Sequence, residues 1–80
     1  MTTLEHFIDR LKGGEEEFYT RHQEEEWGCR YLGGGQFVKW SRNPFTGQQT
    51  EELLTETQVR RLFGRYSPER LLASLVERKG

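Results

Sequence analysis

Apolar residues recur along this chain with two different periods, and the change of period marks out its elements. Leu4, Phe7, Ile8 and Leu11 stand at i, i+3, i+4 and i+7, the stripe of one helix face. Thr2-x-x-Glu5 has the form of a capping box, in which hydroxyl and carboxylate satisfy free amides at the helix start. Gly13-Gly14 ends the helix, with Lys12 in the last turn where the helix dipole favours a cation. Residues 15–26, EEEFYTRHQEEE, put Phe18, Tyr19 and His22 on one side and are read as a second short helix, with an edge strand or a mobile acidic connector as alternatives.

From Trp27 to Leu54 the β-prone residues come in three runs, separated by a glycine triplet and by Asn43-Pro44-Phe45-Thr46-Gly47. This predicts a three-stranded antiparallel meander over about 27–54. A two-residue primed turn at Gly33-Gly34 sets Trp27 opposite Trp40, Cys29 opposite Val38 and Tyr31 opposite Gln36. One face then gathers Trp27, Cys29, Tyr31, Val38 and Trp40 as core, and the other carries Arg30, Phe37, Lys39 and Ser41. A three-residue loop through Gly35 would mix these sets, so the two-residue register is the one that builds a core. A four-residue loop Pro44–Gly47 pairs Val38 with Leu53 and sets Lys39 against Glu52, an attractive cross-strand pair. The third strand, about 48–54, is polar and reads as an edge.

Two helices follow. Thr55-x-x-Gln58 is a second capping box, and Val59, Leu62 and Phe63 form a short stripe ended by Gly64. Ser67-Pro68 starts another helix with proline where its missing amide costs nothing. Leu71, Leu72, Leu75 and Val76 make its inward face, and Lys79-Gly80 close it. Residues 1–80 are thus expected to form a single small α+β domain: an N-terminal helix, a three-stranded meander, and two C-terminal helices packed on one sheet face.

Composition narrows the function more than it names it. Charged residues are 31% of the chain and hydrophobic ones 32%, a balance near that of disordered segments. The aromatic content of 12% and a net charge of −1 favour folding instead. A core this small is marginal and gains from a partner or from homo-oligomerisation. The charge is polarised: residues 1–26 carry eight acids against three bases, and residues 53–80 carry six bases against three acids. No apolar run is long enough to span a bilayer and no leader pattern opens the chain, so a cytoplasmic protein with no membrane partner is expected.

Catalytic chemistry finds little support. His6 and His22 lie in different segments, and His22 and Cys29, though near in sequence, have no second Cys or His near either, so no metal or cofactor is expected. Cys29 sits within a strand run and reads as a small buried hydrophobe. The glycine triplet opens no helix and so offers no phosphate cradle. Arg60 and Arg70 occupy positions that a helix-turn-helix over Val59–Leu75 would need small and apolar. The chain is therefore expected not to be an enzyme.

Binding remains, in two forms. Aromatic anchors and acidic runs predict a non-catalytic protein-binding domain, with Glu15, Glu16, Glu17, Glu24, Glu25, Glu26 and the loop-tip Phe45 as its contact residues. Its partner would be a protein with a basic or nucleic-acid-binding groove. In size and composition the chain resembles the small phage and mobile-element inhibitors of host complexes, the anti-CRISPR proteins among them. The alternative is a small nucleic-acid-binding domain that stacks bases on a sheet face carrying Arg30, Phe37, Lys39 and Arg42. The piece GGQFVKWSRNPFTGQQTEEL resembles the three-stranded DNA-reading domains at the start of some phage integrases, with their strand, Asn-Pro-x-Thr-Gly turn and second strand. It departs from them in lacking basic flanks, and Glu51 and Glu52 would repel phosphates.

Overall fold

The computed structural model describes residues 2–77. Along the chain run α1 (Thr3–Lys12), β1 (Glu16–His22), β2 (Glu25–Gly33), β3 (Gln36–Arg42), β4 (Gln49–Thr55), α2 (Glu56–Phe63), α3 (Pro68–Ala73) and β5 (Leu75–Glu77). The strands form one antiparallel sheet in the order β4-β3-β2-β1-β5. Among the described residues no helix is long and apolar enough to cross a membrane.

The expected three-stranded meander is thus corrected to a five-stranded sheet. Its inner part stands: β2, β3 and β4 are consecutive antiparallel neighbours, and β4 is an edge. Val38 pairs with Leu53 and Lys39 with Glu52, as the four-residue loop requires. The two added strands come from segments read as helical. Residues 16–22 form β1, which makes a hairpin with β2 in which Phe18 opposes Cys29 and His22 opposes Glu25. The reason is burial with a period of two: Phe18 reaches the core while its neighbours Glu17 and Tyr19 turn to the other face. The turn is Gln23-Glu24, with Gln23 in the left-handed region at φ 55°, so no glycine announces it.

The second correction lies at the C-terminus. Leu75 and Val76 continue the spacing of Leu71 and Leu72, which is why they read as one helix. Instead, Ser74 N–H bonds back to the Arg70 and Leu71 carbonyls and closes α3, and Ser74 C=O accepts from Tyr19 N–H at 2.9 Å. The free edge of β1 thereby captures the chain, and Leu75 pairs with Phe18. The expected closure at Lys79-Gly80 lies outside the described residues.

Helix starts follow the sequence. Thr2, Thr55 and Ser67 cap α1, α2 and α3, and Thr55 with Gln58 forms the full reciprocal box. At α1 only the Thr2 half forms, because the Glu5 carboxylate turns to Arg60 instead. One cluster fills the space between helices and sheet: Phe7, Ile8 and Leu11 from α1, Val59 and Phe63 from α2, and Leu71 from α3, against Phe18, Cys29, Phe37 and Leu54. Phe63 is at its centre, 4.7 Å from Phe18 and 4.9 Å from Phe7 between ring centroids. Eight large side chains are essentially free of solvent, each worth about 1.5–3 kcal/mol if apolar and fully buried.

Candidate functional site

The register of the β2–β3 hairpin decides which side chains the helices cover. Gly33 pairs with Gln36, and Gly34-Gly35 form the turn with φ 62° and 77°, the primed geometry that glycine admits without strain. The pairing slips between Tyr31 and Gly33, so Tyr31 faces Phe37, Cys29 faces Lys39, and Trp27 faces Ser41. This overturns the register read from a turn at Gly33-Gly34. A bulge adds one residue and exchanges the faces of the partner strand. Phe37 becomes fully buried beside Tyr31, and Trp40 moves to the face without helices.

That open face is organised in rows across the strands. Tyr19, Gly28, Trp40 and Glu51 make one row, and Arg21, Glu26, Arg42 and Gln49 the next. The Tyr19 and Trp40 rings stack at 5.9 Å above Gly28. The absence of a side chain at Gly28 is required there: a Cβ would come within 2.6 Å of both the Phe18 carbonyl and the indole. Trp40 Nε1 donates to Glu17, and the Arg42 guanidinium lies 5.9 Å from the indole centroid. Glu26, only 7% exposed, accepts from Arg42 and lies 3.6 Å from Arg21. Hydrogen bonding to Arg42 first, with the charges of Arg42 and Arg21 behind it, holds the Glu26 carboxyl below its usual range.

The six glutamates expected to act together are therefore divided. Glu16 pairs with Arg10, Glu17 holds the Trp40 indole, and Glu26 sits under Arg42. Glu15 is exposed just before β1, while Glu24 and Glu25 are exposed at the β1–β2 hairpin end. The nucleic-acid set is also split. Arg30 and Arg42 lie on the open face, where Arg30 meets Glu51 at 3.5 Å. Phe37 is buried on the covered face, and Lys39 on that same face lies 5.0 Å over the Trp27 ring. These four do not form one stacking surface.

What does come together is one end of the sheet. The β1–β2 turn and the β3–β4 loop lie side by side and enclose a groove of about 500 Å³, lined by His22, Glu24, Glu25, Ser41, Arg42, Asn43 and their neighbours. The loop is held by Asn43, whose side chain accepts from the amides of Phe45 and Thr46 at 2.9 and 3.2 Å. This Asx-type bonding presets the turn and carries Phe45 out to 75% exposure. Glu24, Glu25 and Phe45, singled out by sequence, thus share this end of the sheet. Nothing in the sequence pattern points to Tyr19, Gly28 or Asn43 as site residues. Only the alternation of Phe18 with Tyr19 could have flagged Tyr19, had residues 15–26 been read as a strand.

Catalytic elements are sparse among the described residues. His6 and His22 are exposed in separate elements, and no three His, Cys, Asp or Glu side chains of the described residues converge to hold a metal ion. Cys29 is fully buried, and burial pushes its thiol up to about 12, far from a thiolate at neutral pH. Comparison with models of protein families, with curated proteins and with solved structures found no match for this chain.

Proposed function

We propose that the chain is a non-catalytic protein-binding domain that meets its partner with the end of the sheet bearing Glu24, Glu25 and Phe45. The observation that carries this reading is the exposure of Phe45 at 75% on a loop fixed by Asn43, a loop whose base lines one groove with the acidic turn. An ordered, exposed aromatic loses little freedom on binding, and aromatic side chains dominate interface energetics. Glu24 and Glu25 at the same end of the sheet favour a partner whose apolar hollow is ringed by Lys and Arg, as in a groove that otherwise holds nucleic acid. Filling such a groove makes the chain an inhibitor; leaving the partner's activity intact makes it an adaptor.

The test is capture from the native host with a photo-crosslinking residue at position 45 and, in parallel, at position 61 on α2. A partner joined from 45 and lost in the Glu24→Lys, Glu25→Lys, Phe45→Ser variant supports the reading. One joined only from 61 refutes it. The second reading, a nucleic-acid surface, is favoured by the Tyr19–Trp40 stack with Arg21 and Arg42 in the adjoining row. Against it, Glu17, Glu26 and Glu51 balance the three arginines of that face. Oligonucleotide binding with a steep salt dependence would move the conclusion to this second reading.

A further inference from the structure

The sheet ends in two unequal edges. Among the described residues β5 offers three, whereas β4 offers the seven of Gln49–Thr55. Two bonds fix the direction of the β4 backbone groups. Gln48 C=O accepts from Asn43 N–H at 2.9 Å, so Gln48 points toward β3. Thr55 N–H donates to the Gln58 side chain at 2.8 Å, away from β3. Backbone groups alternate along an antiparallel strand. Glu52 and Leu54 are thereby committed to β3, while Gln49, Glu51 and Leu53 turn N–H and C=O outward.

Edges of this kind invite pairing, and proteins blunt them with charged side chains, proline, bulges or short strands. β4 has no proline, lysine or bulge: its register against β3 is unbroken from Gln36↔Thr55 to Arg42↔Gln49. It carries instead two carboxylates, Glu51 and Glu52, and a Leu53 that is 63% exposed. Glu51 reaches Arg30 only at 3.5 Å and is half exposed. Lys39, opposite Glu52, turns its ammonium over the Trp27 ring. Pairing with a second copy of β4 about Glu51 or Glu52 would oppose identical carboxylates, which destabilises. Pairing about Leu53 would need the Thr55 amide that Gln58 already holds. In these registers the two carboxylates weigh against a second copy of β4, and their charge favours a basic strand.

We propose that β4 is a docking edge for an extended segment of a partner protein, which adds antiparallel to it with Lys or Arg facing Glu51 and Glu52 and an apolar residue facing Leu53. This rests on the protein-binding reading above and names the form of the partner. The probes are two capped heptapeptides, Thr-Val-Ile-Lys-Lys-Thr-Thr and the same peptide with Glu for both Lys, titrated into the full chain by NMR. The Lys peptide is expected to bind roughly tenfold tighter than the Glu peptide. It should slow amide exchange at Gln49, Glu51 and Leu53. Leu53→Pro removes only an outward N–H and should keep the fold, seen by unchanged β1–β3 amide shifts, while abolishing peptide binding. The Glu51→Lys, Glu52→Lys variant should reverse the peptide preference. Equal binding of both peptides, no shifts with either, or binding retained in Leu53→Pro would overturn the proposal. A partner crosslinked from position 45 that Leu53→Pro still binds would overturn the edge alone and leave the protein-binding reading standing.

Discussion

At the scale of single residues, two positions on the open face hold its layer of side chains in place. Gly28 is a steric requirement: the Phe18 carbonyl and the Trp40 indole both occupy the space of a Cβ. The carbonyl belongs to a paired strand and cannot retreat. Gly28→Ala should therefore cost about 2 kcal/mol, the scale of overpacking, with a shift in Trp40 fluorescence; a urea melt measures it. Glu26 is an electrostatic requirement. Its folded pKa is depressed by Arg42, so its contribution is complete above the ordinary carboxylate range and is lost as pH falls through the depressed value. Glu5, bonded to Arg60, and Glu56, bonded to Lys12, titrate in the same sense. Glu26→Gln should lower the urea midpoint at neutral pH, and the gap to wild type should close as acidification carries the pH below the ordinary carboxylate range and through the depressed value. A gap that stays constant with pH would mean that Glu26 acts through packing instead of charge.

At the scale of elements, the β1–β2 hairpin is the informative case. Its turn puts Gln23 at φ 55°, where an L-residue costs about 1–2 kcal/mol and glycine does not. Glycine loses more chain entropy on folding, so Gln23→Gly should yield a net gain of about 0.5 kcal/mol, read as a higher urea midpoint at unchanged slope. The same residue explains why this hairpin was hidden. A glutamine-glutamate turn between glutamate-rich flanks carries none of the usual turn chemistry, and glutamate is a poor strand former. The helices were legible because caps and stripes are local: Thr55 with Gln58, Ser67 before Pro68, and Phe7, Ile8 and Leu11 act within one or two turns. The bulge after Tyr31 and the capture of Leu75–Glu77 by β1 were not, because both are settled by contacts distant in sequence. The Phe45 tip was legible, since a proline-started loop exposes what it carries. The sharing of one sheet end by Phe45 with Glu24 and Glu25 was not, because it needs the unrecognised hairpin beside it.

At the scale of the whole molecule, three helices shield one face of a five-stranded sheet and leave the other to a thin layer of aromatics, arginines and glutamates. That layer is largely satisfied within itself, whereas Phe45 and the outward side of β4 are not. The central claim is that binding is concentrated at Phe45 and the acidic turn. It is tested most directly by calorimetric titration of the partner crosslinked from position 45. The comparison sets wild type against the Glu24→Lys, Glu25→Lys, Phe45→Ser variant and against Arg61→Ala, Arg65→Ala on and just after α2. The expected result is a loss of affinity of roughly a hundredfold or more in the first variant, as removal of an aromatic hot spot and two rim charges implies, and little change in the second. Unchanged affinity in the first variant, or a larger loss in the second, would contradict the claim.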